Sequence, residues 1–292
     1  MRRLWLLGGI LALGTGCISA DFMFPSAVQT DEYEFDPEVL DEEFTELVTF
    51  ERADGETLYG LWARQDPAVE RPPLIWMHGN GNHLGTVYDR IAFYWGWGTH
   101  DVFAFDYAGF GMSTGSASYD GLQDLDGQAA IRYVSQTTGY PPNEIPIIAT
   151  SLGGFVAIHT LDEFPAQALV TEDVFANADL LLDDSMGVDI ADGWFFEHDW
   201  DNEQSIPYIN APALIIHGLD DAFISGDSGP LLYEAAPGPN KDLWQPAGVD
   251  HADLAEDMPD AYRDRALGWI GQFGPGVPEP IDRTQTTETT AP

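Results

Sequence analysis

The sequence predicts a single α/β domain on a mostly parallel, eight-stranded sheet. Three observations carry this. Short apolar, β-branched runs alternate with longer apolar-periodic segments from Pro72 onward, the pattern of strands and crossover helices. Two alternating stretches, 46–52 and 56–64, flank Ala53-Asp54-Gly55, and an Asp-Gly pair between such stretches signals a hairpin. The third is length: roughly 230 residues between the hairpin and the last periodic segment suffice for a sizeable core.

The elements follow in order. After the hairpin, 73–78 is an apolar strand, 84–95 a helix and 101–106 a strand. A helix is expected over 119–136, a strand over 145–150, a helix over 152–162 and a strand over 167–172. The last pairs are strand 211–217 with helix 228–235, and strand 241–246 with helix 259–272. The interval 173–208 is irregular and contains Trp194-Phe-Phe196, His198 and Trp200. It reads either as a small substrate-facing cap or as aromatic packing over the sheet. Residues 1–16 read as a signal peptide, 17–44 as a tether and lead-in, 45–273 as the domain, and 274–292, rich in Pro, Thr and Glu, as a disordered tail.

Chemistry concentrates at Ile145-Pro-Ile-Ile-Ala-Thr-Ser151-Leu-Gly-Gly154. An apolar strand ends at a serine, and two glycines then open an apolar helix. A serine hydroxyl is a weak nucleophile. A sharp strand-to-helix turn projects it into a cleft where a His takes its proton and backbone N–H groups hold an oxyanion. The string G-x-S-x-G is broken by Ala149, which is still small. Gly111-Met-Ser113-Thr-Gly115 matches the string in full, but a glycine-rich loop precedes that serine and no apolar helix follows it. Context therefore favours Ser151 over Ser113.

Partners follow along the chain. Ala211-Pro-Ala-Leu-Ile-Ile-His217 is a buried-strand pattern that leads to Gly218-Leu-Asp220-Asp221, and Leu243-Trp-Gln-Pro-Ala247 leads to Gly248-Val-Asp250-His251. Acid and base thus sit on loops after parallel strands, on the same sheet edge as the serine.

Four blocks in order now carry a resemblance: Leu74-Ile-Trp-Met-His-Gly-Asn80-Gly-Asn82, Asp106-Tyr-Ala-Gly-Phe-Gly-Met-Ser-Thr-Gly115, Ala149-Thr-Ser-Leu-Gly-Gly154, and Pro212-Ala-Leu-Ile-Ile-His-Gly-Leu-Asp-Asp221 with His251-Ala-Asp-Leu254. The chain resembles the α/β-hydrolase superfamily, in particular single-domain serine hydrolases of the serine aminopeptidase and acyl-thioesterase-like kind. The resemblance implies a Ser151–Asp221–His251 triad, with Asp220 the alternative acid, and an oxyanion hole from the N–H groups of Asn80 and Leu152. It implies hydrolysis of a carboxylic ester or thioester through an acyl-enzyme, without cofactor or metal. The alternatives are a peptidase with the same triad and a catalytically silent envelope binding protein with this fold. Asp250, where the superfamily favours Gly, either raises the His251 pKa or faces solvent.

The remaining motifs have plainer readings. His78 and His217 end apolar strands and read as structural, His83 as a solvated loop residue, and His100 and His159 as packing or surface residues. His198, between Glu197 and Asp199, lacks a second His or Cys at ligand spacing and reads as part of an acidic loop. Asp106 reads as a loop organiser. Phe93, Tyr94, Trp95 and Trp97 would suit apolar acyl groups if they line the cleft.

The N-terminus sets an expected address. Met1-Arg-Arg3 precedes an apolar stretch over 4–13, too short to span a bilayer, and Cys17 follows Gly14-Thr-Gly16. Cys17 is the only cysteine, so no disulfide forms within the chain. Its position resembles a lipobox, which implies an exported, lipid-anchored envelope protein. The chain carries 49 acidic and 11 basic residues, a net charge of −38. Such a surface repels nucleic acid and anionic lipid and excludes phosphate binding on electrostatic grounds. With Lys241 the only lysine, it resembles proteins adapted to high salt. Small acyl esters are the expected partners, and oligomeric state is open.

Overall fold

The computed structural model describes residues 28–66, 71–181 and 200–281. The expected signal peptide, Cys17, the middle of the expected cap with Trp194–Phe196 and His198, and the chain from residue 282 lie outside the described residues.

Eight strands form one sheet: β1 Thr45–Glu51, β2 Thr57–Ala63, β3 Pro73–Met77, β4 Asp101–Phe105, β5 Ile147–Thr150, β6 Leu169–Glu172, β7 Ala213–Ile216 and β8 Lys241–Trp244. Their spatial order is β1-β2-β4-β3-β5-β6-β7-β8. The β1–β2 hairpin is antiparallel, with Glu51 opposite Thr57 at the turn, and β2 joins β4 antiparallel. All other pairings are parallel. The predicted sheet is therefore the observed one.

Its two faces explain why parallel strands read as continuous apolar runs: both are covered. Ile75 and Met77 of β3, Phe103 and Phe105 of β4, and Ile215 of β7 enter one core, beneath helices α2 Gly127–Thr138, α3 Leu152–Glu163 and α4 Ser228–Ala235. The intervening residues Leu74, Trp76, Val102, Ala104 and Leu214 enter a second core, beneath α1 Tyr88–Trp95 and α5 Pro259–Ile270. Successive side chains on a strand point to opposite faces, so each strand serves both cores.

Three segments differ from expectation. Helix α1 starts four residues later than the expected 84–95, because the N–H of Leu84 is drawn to the Asp106 carboxylate at 2.9 Å. The expected helix 119–136 opens with a π-helical turn over Gly121–Asp126 before α2. Residues 274–281, expected to begin a disordered tail, lie against the domain: Ile281 N–H donates to the Gly98 carbonyl at 3.0 Å. Gln167 Nε2 donates to the carbonyls of Phe273 and Gly276 at 3.0 and 3.2 Å.

Candidate active site

Every loop that matters leaves the carboxyl end of a strand, where open parallel sheets place their ligand crevice. Ser151 follows β5, Gly79 and Asn80 follow β3, Asp173 follows β6, Asp221 follows β7 and His251 follows β8. The elbow at Ser151 has φ 53° and ψ −119°, a conformation that costs a non-glycine residue about 1–3 kcal/mol. Its N–H donates to the Glu172 carbonyl and its own carbonyl accepts from Gly154, both at 2.9 Å. The glycines after it are demanded by close approach. A Cβ on Gly153 would lie 2.1 Å from the Met77 carbonyl oxygen, and one on Gly154 would lie 2.1 Å from Val174 Cγ2. Ala149, by contrast, sits within the first core, where its methyl is accommodated.

The structure brings Ser151, His251 and Asp221 into one hydrogen-bonded line. Ser151 Oγ is 3.2 Å from His251 Nε2, and His251 Nδ1 is 2.8 Å from Asp221 Oδ2. With a carboxylate on Nδ1, the network assigns the proton there and leaves the Nε2 lone pair facing the serine hydroxyl. Asp221 is fixed in turn: its Oδ1 accepts the N–H groups of Phe223 and Ile224, each at 2.8 Å. His217 Nε2 stands 3.4 Å from Oδ2. Asp220 turns away and accepts the Gly248 N–H at 2.6 Å, so between the two acids only Asp221 meets the imidazole.

Charge follows this geometry. Burial opposes ionisation of Asp221, but hydrogen bonds from His217, His251 and the Ile224 N–H outweigh it and hold the carboxyl well below its usual range. Burial also opposes protonation of His251; the Asp221 hydrogen bond and the charges of Asp221, Asp173 and Glu172 together raise its pKa above the ordinary value. Asp250 lies beside this network on the exposed rim. Its carboxylate accepts the N–H groups of Ala222 and His251, both at 2.8 Å, which lowers its own pKa and staples the acid loop to the base loop.

On the other side of the serine, Gly79 packs so closely that an added Cβ would lie 3.3 Å from Ser151 Cβ. This places the Gly79–Asn80 turn against Ser151, with Leu152 opening α3 beside it. Asp106, fully buried, organises that turn. Its Oδ1 accepts from Leu84 at 2.9 Å and faces His78 Nε2 at 3.1 Å, while its Oδ2 accepts the Tyr33 hydroxyl at 2.5 Å. Ser113 is buried and committed, donating to the Asp106 carbonyl at 2.8 Å and accepting from the Tyr59 N–H at 3.0 Å.

Other expectations resolve plainly. His217 Nε2 donates to the Ile224 carbonyl at 3.2 Å, beside the Asp221 carboxylate. His100 and His159 lie inside the fold, where burial lowers each pKa to about 4. His83 rests on Tyr33, ring centroids 5.8 Å apart. The aromatics at 93–97 do not line the cleft: Tyr94 and Trp97 are buried in the second core, and Phe93 and Trp95 pack against it. Trp200 is also core, edge-on to Tyr119 with centroids 4.9 Å apart. The apolar side chain that does meet the site is Phe223, 5.0 Å from the His251 ring and 47% exposed.

Sequence reasoning passed over Asp173, Glu172 and Arg90. Asp173 Oδ1 accepts the Gly218 N–H at 2.7 Å and Oδ2 accepts the Ala252 N–H at 2.8 Å. Arg90 pairs with Glu172 and donates to the Ala252 carbonyl at 3.1 Å. Asp173, Asp221 and His251 bring one ligand-type atom each within 4.8 Å of one another. Backbone and imidazole N–H groups already occupy these carboxylates, so the cluster works as a hydrogen-bond network. The available signal was Thr171-Glu-Asp173: two acids at the end of a buried strand.

Strand order, two-sided helical cover and a serine elbow after β5 decide the architecture. This is the α/β-hydrolase fold. An esterase of Pyrococcus furiosus with this fold aligns at TM-score 0.67 and 21% identity, over 82% of this chain and 96% of its own. A carboxylesterase from a metagenomic library aligns at TM-score 0.61 and 16% identity, over 87% and 94%. Among curated sequences, the α/β hydrolase domain-containing protein aho-3 of Caenorhabditis elegans is 27% identical over 224 residues, 74% of this chain but 62% of its own length. YfhR of Escherichia coli K12 is 27% identical over 236 residues, 77% of this chain and 80% of its own. No family model matches the chain.

Proposed function

We propose that this chain is a serine hydrolase that cleaves carboxylic esters through an acyl-enzyme. The observation that carries the reading is the unbroken line Ser151 Oγ–His251 Nε2/Nδ1–Asp221 Oδ2, at 3.2 and 2.8 Å. Ser151 attacks the ester carbonyl carbon as its proton passes to His251 Nε2. Asp221 holds the imidazole tautomer and stabilises the imidazolium. The N–H groups of Asn80 and Leu152 receive the oxyanion. The C–O bond to the leaving alcohol then breaks as His251 returns the proton to that oxygen. Water, deprotonated by His251, attacks the acyl carbon; the bond to Ser151 Oγ breaks, His251 returns the proton to that oxygen, and the acid leaves.

The esterases among its structural neighbours support an ester over a peptide. Phe223 beside the proposed base suits an apolar acyl or alcohol group. The charge of −38 disfavours anionic substrates. The N-terminal basic, apolar and Gly-Cys17 sequence supports export and lipid attachment.

The test is labelling of the purified protein with a fluorophosphonate, beside hydrolysis of p-nitrophenyl esters of graded chain length. Label is expected on the Ser151 peptide and lost, with activity, in Ser151→Ala. Folded protein that neither labels nor hydrolyses any ester would replace this reading with a silent binding module, and label on Ser113 would overturn the nucleophile.

A further inference from the structure

Among the described residues, three non-glycine residues have positive φ: Ser151 at 53°, Asp173 at 52° and Ala252 at 60°. All three belong to one network. Ser151 is the proposed nucleophile, Ala252 follows the proposed base, and Asp173 bonds the Ala252 N–H at 2.8 Å. Left-handed backbone at a non-glycine residue persists only where its surroundings over-determine it. Ala252 is held at both peptide ends, its N–H by Asp173 and its carbonyl by Arg90 at 3.1 Å.

We propose that Asp173 is a positioning residue. Its carboxylate sets the separation of the Asp221 loop from the His251 loop by accepting one backbone N–H from each, Gly218 at 2.7 Å and Ala252 at 2.8 Å. The proposal rests on the reading above in taking His251 as the base. It assigns Asp173 no contact with substrate and no proton transfer.

The chemistry of the side chain supports this. Two converging N–H donors, one per oxygen, require two acceptors on a short arm. A carboxylate offers them, whereas an amide offers one and turns N–H toward the second donor. Asp173 is buried at 1% exposure, and its own N–H is tied to the Ile216 carbonyl at 3.0 Å, so the side chain is aimed from a fixed base between β6 and β7. Burial, reinforced by the Glu172 carboxylate, pushes its pKa up to about 6, against the pull of His217 and the two N–H donors. A buried carboxylate whose two oxygens are each taken by a backbone donor from a different loop has a local task. Asp220 and Asp250 also bridge the two loops, but both do so from the exposed rim.

Groups facing His251 are Asp221 from the loop after β7, Asp173 and Glu172 from the end of β6, Arg90 from α1 at the next carbonyl, and Asp250 in its own loop. Replacing Asp173 by Asn removes one of these charges and frees the Ala252 or the Gly218 N–H. The experiment compares Asp173→Asn with the wild-type chain, using p-nitrophenyl ester kinetics, a histidine NMR titration and thermal melting. The expected result is a fold of ordinary cooperativity, kcat reduced about 10- to 100-fold with KM nearly unchanged, and a His251 titration moved to lower pH. A folded variant with unchanged kcat and unchanged His251 titration would overturn the proposal, as would a loss confined to melting temperature.

Amide exchange in the wild-type chain decides the case if the variant does not fold. The Gly218 and Ala252 amides are expected to be protected together. Exchange of either at the rate of open loop amides would overturn the clamp. If the wild type neither labels nor hydrolyses esters, the enzymatic reading falls, while the exchange and titration still judge Asp173.

Discussion

At the scale of single residues, the site turns on which of two adjacent acids meets the imidazole. Asp221 Oδ2 lies 2.8 Å from His251 Nδ1, whereas Asp220 accepts a backbone N–H across the loop. Asp221→Asn is therefore expected to lower kcat by about 10⁴-fold, since an amide at that point favours the wrong imidazole tautomer. Asp220→Asn should leave kcat within one order of magnitude; steady-state kinetics on both variants checks this. The raised His251 pKa gives a second expectation. As the proposed base, His251 works unprotonated, so kcat/KM should climb as pH rises through an inflection above the ordinary histidine value of about 6.5. A pH–rate profile with its inflection at or below that value would contradict the charge arrangement found around the ring. Ser151, Asp221 and His251 were legible because each follows an apolar strand and precedes a change of pattern. Asp173 and Arg90 were not, since their work is done on backbone groups that the sequence does not mark.

At the scale of elements, the elbow between β5 and α3 is the least tolerant junction. Met77 O would sit 2.1 Å from a methyl on Gly153, and that oxygen belongs to a strand that has no room to shift. Gly153→Ala is expected to cost about 3 kcal/mol, read as a lower urea midpoint at unchanged slope. The alternation of strand and helix was readable because β3, β4, β5 and β7 are buried on both sides and so appear as unbroken apolar runs. What the pattern did not reveal was the side of the sheet on which each helix lies. The aromatic helix α1 suits a cleft in composition, yet it packs with α5 in the second core, where Tyr94 and Tyr262 hydroxyls meet at 3.1 Å. Helix periodicity reports that a face is covered, not which layer covers it.

At the scale of the whole molecule, charge is the governing quantity. Basic residues are few and several are committed inside the fold: Arg52 to Asp54 and Asp126, Arg90 to Glu172, Arg64 to Asp101. The surplus of 49 acids over 11 basic residues is left to repel itself. At molar salt the screening length falls to about 3 Å, so melting temperature is expected to rise steadily from low to molar sodium chloride. A flat or falling melting curve across that range would show that self-repulsion does not limit this fold.

The lead-in before β1 reaches into the core beside Ser151. The Tyr33 hydroxyl bonds the same carboxylate that anchors Leu84 and His78 near Ser151, and the Met112 N–H donates to that hydroxyl at 2.9 Å. The lead-in therefore acts as a keystone of the sheet edge that carries Ser151, although it precedes the first strand. A shortened gene product beginning at β1 would retain every strand yet leave a buried oxygen of Asp106 without its donor. Any trimmed version made for crystallisation should begin upstream of Thr30, whose N–H bonds the Gly111 carbonyl at 3.0 Å.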